Sequence, residues 1–302
     1  MRSKKGQFMK GNIPWNKGKG VYKRCLNCDK KIYVIQSDIK KSIGHFCSKK
    51  CWRNFPIKES QNFKLNEDLA EFIGVIIGDG CINRNGRYGY RIFISGNPIE
   101  DKHYMENYLP KLIKRCVNKD LKPFVASNGA YLLQFTKKSF KIFLENLGIK
   151  ENKTRTVRIP HKIRENNKLL RACIRGVADT DFTLIFTKRK RKVGYYPRIC
   201  AQFASKNLVK DLEKSLRDFG FTLNVSYDNK RKDKRGHSWG TNMINIDGPH
   251  NLNRWLNLIG FGNMRIISRY KVWEKLGYLP RNSTLPERMK ILNEGQQGGE
   301  LK

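Results

Sequence analysis

The sequence is short of acid. It sets 26 Asp and Glu against 62 Lys and Arg, with only 5 His, for a formal net charge of +36. A compact chain so charged repels itself, and the usual reason to tolerate that is a polyanionic partner. Long apolar runs are also missing. None reaches the ~18 residues that a membrane-spanning helix needs, and no basic amphipathic helix stands out that would lie on an anionic bilayer. The expected partner is therefore nucleic acid and not a membrane. The opening MRSKKGQFMKGN is charged but has no apolar stretch of the kind a secretion signal carries. Without an export signal, the expected location is intracellular, cytoplasmic or nucleoid-associated, in a phage, bacterial or organellar host. The 8 Cys are then read as reduced thiols available to metal, not as disulfides.

What the chain does have is a repeat. Residues 1–64 hold 17 Lys and Arg against 3 acids and too little apolar sequence for a core of their own. Beyond them the order of elements is read twice. In the first copy a very apolar helix, Leu65–Gly78, ends in Asp79-Gly80. Strands follow near Ile82 and Tyr90–Ser95, then a helix from about Pro98 to Arg115, strands near Leu121–Val125 and Ala130–Phe135, and a helix Ser139–Leu147 closed by Gly148. In the second copy a helix Leu169–Thr180 ends in Asp181-Phe182. Strands Thr183–Lys188 and Arg198–Ala204, a helix Lys206–Phe219, strands near Thr222–Tyr227 and Asn242–Ile246, and a helix Pro249–Ile259 closed by Gly260 complete it. The predicted fold class is α/β (α+β): a duplicated αββαββα architecture with a small N-terminal module. The predicted boundaries are 1–20, a basic segment; 21–64, a cysteine-bearing module; 65–150, the first repeat; 151–168, a connector; 169–290, the second repeat; and 291–302, a frayed tail. Strand alternation (Arg91, Phe93, Ser95; Gln134) gives each sheet one dry and one wet face.

The two apolar helices carry the chemistry. Gly74 and Gly78 lie four apart on one face, each costing about 0.5–1 kcal/mol relative to Ala in a helix interior. Close approach of another backbone is the expected compensation. Ala172, Gly176 and Thr180 stand where Ala70, Gly74 and Gly78 stand, so the helices can pair and bring Asp79 and Asp181 together. A helix C-terminus disfavours a carboxylate, and two such ends side by side are worse unless a divalent cation sits between them. Mg²⁺ is bound by one or two carboxylates with phosphate and water, the arrangement for metal-assisted phosphodiester hydrolysis.

LAEFIGVIIGDG (Leu69–Gly80) and LLRACIRGVADTDF (Leu169–Phe182) resemble the two motifs of single-chain LAGLIDADG homing endonucleases. NKTRTVRIPHKI (Asn152–Ile163) and SRYKVWEKLGYLP (Ser268–Pro280) resemble segments common in that family. The resemblance, over about residues 65–290, implies a pseudo-twofold fold whose sheets grip the major groove. It also implies Mg²⁺-dependent double-strand cleavage of double-stranded DNA by a monomer, the activity that drives intron homing. It places metal on Asp79 and Asp181, with Gly78 and Thr180 in the same sites, and a supporting catalytic Lys at Lys137 or Lys138. Copy two has Asp247-Gly248 at that place and no Lys. Asn97 and Ser205 match a polar turn position in the family, although each also suits a helix N-cap. Basic clusters at Lys188–Lys192 and Lys230–Arg235, including Lys188, Arg189, Arg231, Lys232, Lys234 and Arg235, are expected on loops facing the DNA backbone. One departure stands out. Phe182 follows the second acid where the motif has Gly, so the chain there accepts strain or turns differently. An intron RNA-binding splicing maturase, or a DNA-binding regulator with an inactive nuclease fold, are the competing readings.

In the N-terminal segment, Cys25-x2-Cys28 and Cys47-x3-Cys51 suit a tetrahedral structural Zn²⁺, the staple that a small coreless module needs. His45 is a spare ligand candidate. Cys81, Cys116, Cys173 and Cys200 lack metal spacing and are expected to be buried. GNIPWNKGKG (Gly11–Gly20) resembles a modular DNA-binding motif attached to homing nucleases. It implies phosphate contacts from Lys17 and Lys19, with Trp15 anchoring the turn or stacking.

Overall fold

The computed structural model describes residues 20–40, 44–54, 63–85, 89–127, 129–188, 195–232 and 238–294. The chain divides into two units, residues 1–62 and 63–302. The first is small. An antiparallel hairpin of β1 (Gly20–Arg24) and β2 (Lys31–Ile35) is followed by two short helices, α1 (Gln36–Lys40) and α2 (Lys49–Asn54).

The second unit is the duplicated architecture expected from the sequence. Copy one runs α3 (Glu67–Ile77), β3 (Gly80–Asn85), β4 (Gly89–Gly96), a π-helical turn Tyr104–Tyr108 leading into α4 (Leu109–Val117), β5 (Phe124–Val125), β6 (Tyr131–Phe135) and α5 (Lys138–Asn146). A connector with a short helix, α6 (His161–Arg164), leads to copy two. This runs α7 (Asn167–Asp181), β7 (Thr183–Lys188), β8 (Tyr195–Phe203), α8 (Lys206–Asp218), β9 (Asn224–Lys232), β10 (Ser238–Asp247) and α9 (Pro249–Leu258). The two sheets have the same topology, β3-β4-β6-β5 and β7-β8-β10-β9, all antiparallel. Strand alternation sets their faces. Tyr90, Ile92 and Ile94 of β4 and Ile199, Ala201 and Phe203 of β8 are buried, and their neighbours Arg91, Phe93, Ser95, Arg198, Cys200 and Gln202 lie on the wetter face. On the dry side Phe72, Phe135 and Phe140 pack together in copy one. Phe182, Phe203 and Trp255 do so in copy two.

The core between the copies is the α3–α7 pair. Every residue from Leu69 to Ile77 is buried, which is why the sequence is apolar nearly all round. A Cβ at Gly74 would overlap the carbonyl oxygen of Cys173, and one at Gly176 would overlap the carbonyl oxygen of Glu71. The contacts are reciprocal: 71 stands to 173 as 74 stands to 176. That is the signature of an isologous, twofold-like interface, here within one chain. Glu71, itself 1% exposed, crosses the interface to pair with Arg175 and accepts the Tyr108 hydroxyl at 2.6 Å.

Three expectations are corrected. The β9–β10 hairpin is longer than read: Lys230, Arg231 and Lys232 belong to β9, pairing with Gly240, Trp239 and Ser238. DNKRK carries no apolar alternation and hence no strand signal. Backbone pairing extends the ladder past Asp228, whose φ is 55°. Cys81, Cys116 and Cys200 are only partly buried, and Cys173 alone of the four is buried. Two helices close the chain, α10 (Met264–Leu276) and α11 (Leu285–Asn293). The second continues past residue 290, where the repeat was expected to end. Arg288 on α11 is fully buried and bonds Glu100 Oε2 at 2.6 Å and Ser268 Oγ at 2.9 Å. The Leu285 N–H donates to Glu100 Oε1 at 2.7 Å. The last helix is thus fastened to the first copy.

Candidate functional site

Asp79 and Asp181 stand at the C-terminal ends of the paired helices. Asp79 lies just past α3, whose C-cap Gly78 donates its N–H to the Gly74 carbonyl. Asp181 is the last residue of α7. A Cβ at Gly78 would overlap both the Thr180 hydroxyl and Asp181 Oδ2, so glycine there lets the second carboxylate lie against the backbone next to Asp79. Asp181 Oδ2 is 2.9 Å from the Thr180 hydroxyl. Burial pushes the Asp79 carboxyl up to about 7. Asp181 and Asp101 push the same way, against Arg265 and Lys153. Asp181 is raised too, by burial first, while the Thr180 hydroxyl, Lys153 and Arg265 oppose.

Two cations that the sequence reading passed over meet these ends. Lys153, from the connector, donates to the carbonyls of Ile77 at 2.7 Å and Gly78 at 3.2 Å. Arg265, on α10, donates to the carbonyls of Asp179 at 3.1 Å and Thr180 at 2.9 Å. Cations belong at helix C-termini, and here the connector supplies one to the end that carries Asp79 and α10 supplies one to the end that carries Asp181. A signal existed: each lies five residues after the glycine closing its copy's last helix. Those glycines, Gly148 and Gly260, have φ of 85° and 72°. The carbonyls of Gly78 and Thr180, which the resemblance places in the metal sites, are thus the ones these side chains hold.

Behind the acids lies a buried polar tie. The Asp179 carboxylate accepts the N–H groups of Gly262 and Asn263 at 2.9–3.0 Å, at the N-terminus of α10. Burial pushes its pKa up to about 7 and Glu71 adds to this, while those amides pull the other way. Asn263 Nδ2 donates to Asp101 Oδ1 at 2.9 Å. A cavity of about 10 Å³ between Asp79, Asp101, Asp179 and Asn263 has room for one water.

The turns after the acids differ from expectation. Gly80 is not left-handed: among the described residues its φ is not positive. It is glycine because a Cβ would come within 2.5 Å of the Ile76 backbone. Phe182 shows no strain either. It is extended (φ −84°, ψ 155°) and fully buried against Phe203 and Trp255. The departure from the motif is a core aromatic in place of a close backbone approach.

The other candidates are scattered. Lys137 is half-buried and donates to the Val117 carbonyl at 2.6 Å, so in this structure its ammonium is committed away from the carboxylates. Lys138 opens α5. Asp247, at the matching place in copy two, accepts from Arg198 at 2.6 Å. Asn97 Oδ1 accepts the N–H groups of Ile99 and Glu100, and Ser205 accepts from Leu208 N–H as the N-cap of α8. Ser205 is in use as a helix cap, and Asn97 holds the turn that precedes the helical stretch. Lys188 is exposed at the end of β7. Only the backbone of Arg231 and Lys232 is described, and Trp15, Lys17, Lys19, Arg189, Lys234 and Arg235 lie outside the described residues.

In the N-terminal unit the ligand atoms of Cys25, Cys28, Cys47 and Cys51 lie within 4.8 Å of one another. The turn between β1 and β2 carries the first two; α2 and the loop before it carry the others. Sulfur separations of 3.5 Å (Cys28–Cys47) and 3.4 Å (Cys47–Cys51) approach the roughly 3.8 Å edge of a tetrahedron with Zn–S near 2.3 Å. Burial raises the Cys25 thiol, but the N–H groups of Cys47, Asn27 and Cys28 outweigh it and bring it down to about 6. Cys28 is pushed up to about 12 by the sulfurs around it, against the Lys30 amide. His45 contributes its carbonyl, to Leu26 N–H. No other cluster of three or more His, Cys, Asp or Glu ligands occurs among the described residues.

No family model matches the chain. Over 208 residues it is 26% identical to the replication factor C small subunit of Methanocaldococcus jannaschii, spanning 68% of this chain but 10% of that protein. Over 186 residues it is 23% identical to an uncharacterized protein of the same archaeon, spanning 60% of this chain and 66% of that one. Similar solved structures include I-DmoI in complex with DNA and Mn (TM-score 0.45, 18% identity, covering 64% of this chain and 96% of that one). Another is the homing endonuclease I-WcaI bound to its DNA recognition sequence (0.44, 16%, 80% and 98%). A third is the N-terminal LAGLIDADG domain of WhiA (0.40, 16%, 67% and 85%). At these levels of similarity, function has to be argued from the chain's own geometry.

Proposed function

We propose that this protein is a site-specific endonuclease of double-stranded DNA, acting as a monomer with one acid from each repeat. The observation that carries the proposal is the reciprocal helix pair, which places two half-buried carboxylates at two helix C-termini, where helix dipoles and mutual repulsion both oppose them. The donor set is oxygen only and suits a hard cation such as Mg²⁺. Two carboxylates leave its other positions to phosphate and water. Asp79 and Asp181 would hold it, and when bound it supplies charge to polarise a phosphate and acidify a water. The Thr180 hydroxyl orients the Asp181 carboxylate. Lys153 and Arg265 fix the carbonyls on either side and bring positive charge to a site that a phosphate enters. The net charge and the wet sheet faces supply affinity for the duplex. The four N-terminal cysteines hold structural Zn²⁺, and the basic segment before them adds DNA contacts.

The test begins with a randomised plasmid library and Mg²⁺, sequencing the cut ends. A supercoiled plasmid carrying the recovered site is then followed from nicked to linear form with wild type, Asp79→Asn and Asp181→Asn. Each substitution is expected to abolish double-strand cutting. Cutting at the wild-type rate by both variants would overturn the proposal. Uncut but specifically bound duplex would favour a DNA-binding regulator, and preferential binding of structured RNA would favour a maturase.

A further inference from the structure

The wet faces of the two sheets carry different chemistry. On the second sheet the register sets Asn224 opposite Asn245, and Asn245 opposite Cys200, across β9, β10 and β8. The next row pairs Ser226, Met243 and Gln202. Asn224 and Gln202 are exposed and Asn245 is half-exposed. Among the described residues neither Asn224 nor Asn245 has a side-chain hydrogen bond, and Gln202 has only a contact from Nε2 to the Met243 sulfur at 3.5 Å. The Arg198 guanidinium on this face is held by Asp247, so it is not free to approach a base. On the first sheet Asn83 stands opposite Arg91. Arg91 is half-exposed, and among the described residues it has neither an ion pair nor a side-chain hydrogen bond.

Base edges in the major groove sort these side chains. A carboxamide matches adenine N6 and N7 bidentately, and a free guanidinium matches guanine O6 and N7. Same-face residues along a strand repeat about every 6.7 Å, close to two base-pair steps of 3.4 Å, so neighbouring rows address different base pairs. We infer that the second repeat reads adenines through Asn224, Asn245 and Gln202, and the first repeat reads a guanine through Arg91. The target would then be asymmetric in base composition as well as in sequence. This rests on the endonuclease reading only in so far as the sheets dock in a DNA groove; it does not need the carboxylates to be active.

The experiment selects duplexes from a randomised DNA pool with the full-length chain in Ca²⁺ and sequences those retained. Wild type is expected to enrich adenine at two or three positions of one half-site and guanine in the other. Asn245→Ala and Gln202→Ala should each cut the preference at one adenine by roughly 5- to 100-fold, and Arg91→Ala should do so at the guanine. Gln202→Arg should convert one adenine preference to guanine, a gain that misfolding cannot mimic. Enriched sites lacking this bias, or a bias that none of these substitutions moves, would overturn the inference and leave site-specific binding standing. If wild type selects no sequence at all, the proposed function and the inference both fall.

Discussion

Asp79→Asn separates the function of this carboxylate from its cost. Its pKa in the folded protein is about 7 against an ordinary 3.8. Three units at 1.36 kcal/mol each correspond to about 4 kcal/mol. Partial solvent access lowers this to about 2–3 kcal/mol. The sign follows from the direction of the shift. Below pH 4 the group is protonated in both folded and unfolded chains and costs nothing. Between pH 4 and 7 the unfolded chain ionises first, so the penalty on folding grows, and above pH 7 it is complete. The asparagine variant should therefore match wild type near pH 3 and exceed it at pH 8, by about 4–10 °C in Tm for a domain of this size. Scanning calorimetry in EDTA at the two pH values measures this. Adding Mg²⁺ should then stabilise the wild type, by about 2.7 kcal/mol at a hundredfold excess over Kd, and raise its Tm, while moving the variant much less. The reasoning is refuted if the variant is the less stable protein at pH 8, or if its advantage does not shrink as pH falls.

Three further outcomes are expected. Phe182→Gly should not repair the second site: it empties a fully buried aromatic position and should destabilise by at least about 3–5 kcal/mol in denaturant unfolding. Lys153→Met should slow cleavage and shift its Mg²⁺ dependence to higher concentration, with little change in DNA affinity by gel shift. Elemental analysis should find roughly one Zn per chain, lost on Cys25→Ala with Cys28→Ala, while residues 63–302 keep their own unfolding transition.

The repeat was legible because its signals are periodic or paired. The α3 sequence is apolar all round because α7 covers the face that solvent would otherwise meet. Gly74 and Gly176 announce each other because each has no room for a side chain. The four N-terminal cysteines were legible from spacing alone. Arg288 was not, since it is one basic residue in a chain with 62 of them; Lys153 and Arg265 left only their common place five residues after a closing glycine, and only the fold separates these inward-held cations from a surface full of exposed ones. At Phe182 the second of the two alternatives, a different turn, is the one found, and what the sequence reading left out is what fills the space behind it. The strand at Lys230–Lys232 was missed because backbone pairing, not side-chain burial, sustains it.

The fastening of α11 to Glu100 has a consequence for the order of synthesis. Domains emerge and fold from the N-terminus, yet the partners of Glu100 are the Leu285 amide and the Arg288 guanidinium, 185 and 188 residues further along the chain. Asp101 beside it likewise waits for Asn263. The first repeat therefore leaves the ribosome with two carboxylates lacking these partners, and α3 presents an apolar face until α7 arrives. Two nascent chains on neighbouring ribosomes could meet through that face. Helix α7 is what closes each chain on itself, so a message truncated before it should yield a protein prone to pairing with its own kind.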